Sequence, residues 1–101
     1  CNPYLAFAVM LKCGLDGIKN DLPLPEASEE DLFESSVSRR NLQTLPGSLY
    51  EALQEMEKDQ VVQEALGPHI YQRYRDAKLQ EWDDYRLEVT EWELRRYLGI
   101  F

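Results

Sequence analysis

From Tyr4 to Leu11 every residue is apolar or aromatic, within an opening stretch, residues 1–20, that begins with a helix start at Asn2-Pro3. Asn2 is a good N-cap. Pro3 suits the first helical position because its φ is fixed and its missing N–H is one the first turn leaves unbonded. A helix without a polar stripe belongs inside a larger body or a membrane. This run is too short to cross a bilayer, which needs roughly 20 apolar residues. Burying Tyr4, Leu5, Phe7, Val9, Met10, Leu11 and Leu15, at about 1.5 to 3 kcal/mol each, requires polypeptide on every side. A chain of 101 residues can scarcely surround its own first helix. The expectation is a piece of something bigger, or a protomer that hides this helix against another copy.

Charge narrows the partners. Nineteen acidic and eleven basic residues give a net charge of -8, the wrong sign for binding a phosphate backbone, so no nucleic acid is expected to bind directly. No basic region precedes the apolar run and no small-residue cleavage site follows it, so neither a signal peptide nor a membrane span is expected. A start at Cys1 in place of Met fits a fragment or a processed chain. Cys1 and Cys13 form no C-x-x-C pair and read as two reduced thiols of a cytoplasmic protein.

Gly14 and Gly17 are expected to punctuate the end of the first helix, with Lys19 placed where a cation suits the C-terminal dipole. Residues 21–47 then form an acidic loop. Pro23 and Pro25 exclude helix and extend the leucines before them. Between Lys19 and Arg39 there is no basic residue, but there are Asp21, Glu26, Glu29, Glu30, Asp31 and Glu34, with Phe33 the single aromatic. Ser28 with Asp31 makes a weak capping box.

Residues 48–101 carry a series of helix starts. Ser48 with Glu51 predicts a capping box, followed by Leu49, Ala52, Leu53 and Met56 on one face. Asp59 caps a further short helix bearing Val61, Val62, Ala65 and Leu66, ended by Gly67-Pro68. The longest helix is predicted from Pro68 to about Val89, with Tyr71, Tyr74, Lys78, Trp82, Tyr85 and Val89 along one stripe. Such a stripe is ordinarily a packing surface. Thr90 with Glu93 predicts a capping box for the last helix, and Val89 with Leu94 a hydrophobic staple. The apolar end Tyr97-Leu98-Gly99-Ile100-Phe101 is of the kind that is usually tied down. No stretch sustains a period of two, so the fold class is all-α.

Catalytic machinery is not legible. His69 is the only histidine, so a histidine pair for zinc or a Ser-His-Asp arrangement cannot be completed. Asp83 and Asp84 are adjacent on a helix and point about 100° apart, unsuited to a shared metal or an acid/base pair. The five glycines sit at helix ends and turns, where no phosphate-cradling loop is formed. No residue is assigned to catalysis, cofactor binding or metal binding. The residues alone describe a helical packing and assembly module.

Residues 2–20, Asn2-Pro3-Tyr4 through Asp16-Gly17-Ile18-Lys19-Asn20, resemble the segment of prokaryotic type I glutamine synthetases that follows their last catalytic strand. Leu45-Pro46-Gly47-Ser48-Leu49 with Glu51-Ala52-Leu53, then Glu81-Trp82-Asp83 with Tyr85-Arg86, then Val89-Thr90 with Trp92-Glu93, resemble later motifs of that family in the same order. The resemblance implies a helical C-terminal segment of an α+β parent that joins ammonia to glutamate with ATP and Mg or Mn, through a γ-glutamyl phosphate. The family's catalytic and metal-binding residues lie upstream of the Asn-Pro-Tyr motif, so the segment itself is expected to be inactive and to bind no cofactor. In one branch the acidic loop presents a tyrosine, in an Asn-Leu-Tyr context, that is adenylylated. Asp31-Leu32-Phe33 stands here, and Phe33 has no hydroxyl, which implies the non-adenylylated branch. The closing helix of the family inserts between subunits of a dodecamer of two stacked rings, which assigns Tyr97, Leu98, Ile100 and Phe101 to contacts with a sister copy or a regulatory protein. Two alternatives stand beside this: a related ligase joining glutamate to another amine, and a stand-alone helical oligomerisation or regulator-binding module.

Overall fold

The computed structural model describes residues 1–27, 29, 31 and 42–100. The chain is all-α: among these residues lie five helices and no strand. They are α1 (Pro3–Lys19), α2 (Leu49–Lys58), α3 (Gln60–Leu66), α4 (Pro68–Tyr85) and α5 (Glu91–Tyr97). The Ser28/Asp31 capping pair and Phe33 fall wholly or partly outside the described residues.

Side-chain caps set most of the helix starts. Asn2 Oδ1 accepts from the backbone N–H of Tyr4 at 3.0 Å and of Leu5 at 3.3 Å. Asp59 Oδ1 accepts from Val61 at 3.0 Å and Val62 at 3.2 Å. Each cap satisfies donors that the first turn cannot bond internally. At Ser48 the predicted box is half formed. Ser48 Oγ accepts from the Glu51 N–H at 3.2 Å, but the Glu51 carboxylate reaches one residue further back, accepting from the Gly47 N–H at 2.8 Å.

Two expectations about helix ends change, although Lys19 does lie in the last turn of α1 as expected. α1 runs through Gly14 and Gly17 to Lys19, since a glycine weakens a helix interior by about 1 kcal/mol without removing a hydrogen bond. It stops in a Schellman arrangement, with the Leu22 N–H on the Gly17 carbonyl at 3.0 Å and the Asp21 N–H on the Ile18 carbonyl at 3.3 Å. Asp21 occupies the left-handed position, φ 48, that glycine more often fills. α4 ends at Tyr85, short of Val89. Past that point the chain tightens into turns, Leu87 N–H to Asp84 and Glu88 N–H to Tyr85. Tyr85, Leu87 and Val89 are well exposed, so no neighbouring surface rewards continuation of the stripe.

α3 is the hub. It packs against α1, α2 and α4, while α2 also packs on α4, and α5 touches none of them. The two most buried side chains, Leu53 of α2 and Leu66 of α3, sit where these elements meet. Gly67, at φ 78, turns α3 directly into Pro68 and α4. The chain extends over 58 × 41 × 22 Å and exposes 9346 Å². A compact monomer of this mass exposes roughly 5,900 Å².

Leu53 is 3% exposed, so Leu53→Ala is expected to lower the unfolding free energy by about 2 to 5 kcal/mol. Leu24→Ala, at a side chain 93% exposed, is expected to change it by less than about 0.5 kcal/mol. Urea unfolding followed by circular dichroism measures both.

Candidate functional site

Two unpartnered surfaces dominate the chain, the outer face of α1 and the C-terminal arm. On α1, Leu5, Ala6, Val9, Asp16 and Gly17 are half-buried, the side on which it packs against α3. Lys12 Nζ pairs with Glu64 of α3 at 3.9 Å and ties the two helices together. Both partners are largely exposed, so the pair orients more than it stabilises. The other side carries Tyr4, Phe7, Leu11, Leu15 and Ile18, spaced three and four residues apart and all exposed, Tyr4 by 85% and Ile18 by 81%. That spacing makes a continuous apolar stripe. Between the inner side of α1 and the rest of the chain opens a cavity of about 400 Å³ lined by Leu5, Val9, Met10, Met56, Leu66 and Tyr74. α1 is thus walled on one flank only.

The α2–α4 seam explains the aromatic stripe. Tyr50 stacks on Trp82 with ring centroids 6.0 Å apart, and Trp82 meets Tyr85 at 6.1 Å. Lys78 lies in the same row because its ammonium sits 5.9 Å from the Tyr74 ring centre and 2.6 Å from Glu81. Arg75 Nε donates to Glu57 across the seam, and that bond, with the carboxylate's charge, raises the Arg75 pKa. Neither this pair nor Lys12–Glu64 was anticipated from sequence. Long-range ion pairs leave no local signal, although Arg75 lies four residues from both Tyr71 and Leu79 and so shares the packed face.

The adjacent carboxylates Asp83 and Asp84 are engaged locally. Asp83 accepts from Arg86 at 2.8 Å and Asp84 from Gln80 at 2.8 Å, so the adjacent pair is split between separate surface contacts. Among the described residues no group of three or more His, Cys, Asp or Glu side chains is placed to hold a metal ion. No helix among them is long and apolar enough to cross a membrane. His69 is exposed, and Cys1 and Cys13 are free, exposed thiols.

The C-terminal arm is organised by its own short-range bonds. Thr90 Oγ1 accepts from the Glu93 N–H at 3.3 Å, while Glu93 Oε2 accepts from the Thr90 N–H at 2.7 Å and its hydroxyl at 2.8 Å. Those two bonds, the backbone one first, hold the Glu93 carboxyl below its ordinary pKa. Arg95 reaches back to Glu91, and Trp92 meets Tyr97 edge-to-face at 6.0 Å. Val89 and Leu94, the predicted staple, line one shallow depression with Tyr97 and Leu98. Tyr97, Leu98 and Ile100 are exposed by 46%, 75% and 68%. Phe101 lies outside the described residues.

Fold and surfaces together define a helical segment whose apolar area is turned outward and whose polar groups are spent on caps and surface pairs. The chain belongs to the glutamine synthetase catalytic-domain family: the profile described as "Glutamine synthetase, catalytic domain" matches residues 1–97. It is 48% identical to a glutamine synthetase of Methanocaldococcus jannaschii over 97% of this chain, and 46% identical to one of Thermus thermophilus over all of it. A glutamine synthetase of Thermotoga maritima is 46% identical over 99% of the chain. The chain spans 22% to 24% of the length of these relatives, and the matched part is C-terminal in them.

Because the Glu93 pKa is depressed when the box is closed, its contribution to α5 is complete above the ordinary glutamate range and is lost as pH falls through the depressed value. The helical population of residues 91–97 is expected to decline as the pH falls below the ordinary glutamate range. In Glu93→Gln that dependence should flatten. Backbone chemical shifts of these residues, followed against pH, test it.

Proposed function

We propose that this chain is the C-terminal part of a cytosolic glutamine synthetase that joins ammonia to glutamate with ATP, through a γ-glutamyl phosphate. The observation that carries this reading is 43% to 48% identity to glutamine synthetases along essentially the whole chain, with the family's motifs in order. ATP and the divalent ions, Mg or Mn, belong to the parent polypeptide. There the ions would neutralise the phosphoryl groups during transfer.

The chain's own contribution is support, not chemistry. The outer face of α1 fits a surface wall of the catalytic body, since burying five large side chains supplies a strong reason for one register. The acidic loop, residues 21–47, would lie near the active-site entrance, with Phe33 at the position of the adenylylated tyrosine. Tyr97, Leu98, Ile100 and Phe101 would contact a sister copy in a dodecamer, or a regulatory protein. Their exposure in this chain agrees with that role for the first three.

Glutamine formation from glutamate, ammonia and ATP is expected of the protein that contains this segment, and no turnover of the 101-residue chain alone. Turnover by the bare chain would overturn the reading. Methylamine or a polyamine accepted in place of ammonia would move it to a related γ-glutamyl-amine ligase.

An adenylyltransferase given radiolabelled ATP is expected to transfer no AMP to the loop, because Phe33 lacks an acceptor oxygen. Phe33→Tyr supplies the oxygen and serves as the comparison. Label appearing on the unaltered loop would refute assignment to the non-adenylylated branch.

A further inference from the structure

We propose that the cavity on the inner side of α1 is a socket for the polypeptide directly before Cys1, filled in the parent by an apolar side chain of that segment. This rests on the reading of the chain as a C-terminal part, and adds how the upstream body would be keyed to the helical one. All four packed helices supply its wall: Val9 and Met10 from α1, Met56 from α2, Leu66 from α3 and Tyr74 from α4. None of the side chains that line it is an acid, a lysine, an arginine or a histidine. A buried water needs two to four polar partners, which such a wall does not offer. The occupant it suits is therefore apolar. An apolar cavity of about 150 Å³ already accepts benzene, so one of about 400 Å³ has room for a phenyl or isobutyl group. Met10 and Met56, unbranched and flexible, can close around either shape.

The position of the cavity identifies the segment. Cys1 and Asn2 themselves stand in its lining, and Asn2 is extended, with φ -83 and ψ 110. Chain arriving from upstream therefore meets the cavity just as it enters α1. An extended residue advances about 3.3 Å, which keeps the residues next before Cys1 within reach of the wall. The relatives carry polypeptide at that place: this chain spans 22% to 24% of their length and matches their C-terminal part, so most of each relative precedes the matched residues.

The test uses the whole protein that contains this segment, crystallised and pressurised with xenon, a probe that enters dry apolar cavities. A side chain from the few residues before Cys1 is expected between Met10, Met56 and Tyr74, with no xenon bound there. Xenon, water, a small molecule or a side chain from elsewhere in that place would overturn the inference. Ala6→Leu asks the same question in solution, since Ala6 lines the cavity and is half-buried. Against a filled socket the larger side chain overpacks, and thermal inactivation is expected to run about fivefold faster or more. Against a hollow one it fills space, so unchanged or slower inactivation would overturn the inference. A protein that makes glutamine yet takes xenon here keeps the function and loses the socket. One that makes no glutamine loses the reading on which the socket rests.

Discussion

Everything in this chain is arranged around the contact between α1 and α3. α1 has apolar side chains on two opposed flanks, and only the flank of Leu5, Ala6 and Val9 finds a neighbour, on α3. α3 in turn is the one helix that also meets α2 and α4. Seven residues therefore join a 17-residue apolar rod to a two-helix seam. With Asp59 bonding its first turn and Gly67 closing its last, α3 is fixed in length by its ends.

Two kinds of order result. The α2–α4 seam is held by side chains from different helices: Leu53 buried at its centre, Arg75 donating to Glu57 across it, and Tyr50 stacked on Trp82 near one end. α5 is instead held by bonds no more than a few residues apart in sequence, so no helix among the described residues fixes its direction. The residues between them, Arg86 to Val89, take up turns because the seam has ended and the arm has nothing to lie on.

The sequence makes the caps legible because a cap is a local transaction between a side chain and donors two or three residues on. Asn2, Asp59 and Thr90 bond as their spacing predicts. Glu51 does not close its box on Ser48, because the Gly47 N–H offers the same carboxylate a closer bond. The end of α4 is not legible for a different reason. Tyr85 and Val89 continue the spacing of Tyr71, Tyr74 and Trp82, and only the absence of a facing helix stops the element at Tyr85. Periodicity reports which face is apolar and says nothing of how far the partner extends. The cavity flanked by Met10, Met56 and Tyr74 and the Lys12–Glu64 pair lie beyond local reading for the same cause, since each joins helices far apart in sequence. Tyr97, Leu98 and Ile100 stand out in the sequence as apolar residues close together, whereas the separation of α5 from the other four helices depends on the fold and leaves no local signal.

The balance of buried and exposed apolar area decides where such a segment gets its stability. Covering Tyr4, Phe7, Leu11, Leu15 and Ile18 would contribute on the order of 5 to 10 kcal/mol after discounting the part already shielded. That is comparable to the whole stability of an ordinary domain. Among the described residues only Leu53 and Leu66 are buried hydrophobic side chains. The described residues therefore leave most of the apolar area of α1 uncovered, and under the proposed function the rest of the parent would cover it. α3 needs only to hold α1 close to the right angle, and a weak tie such as Lys12–Glu64, at 3.9 Å and exposed on both sides, is sufficient for that. A strong internal tie would commit the rod to an angle before its outer wall arrived. Weak internal fixation and a large exposed apolar face are thus two halves of one arrangement, and under the proposed function the register of α1 would be chosen by the body that covers it.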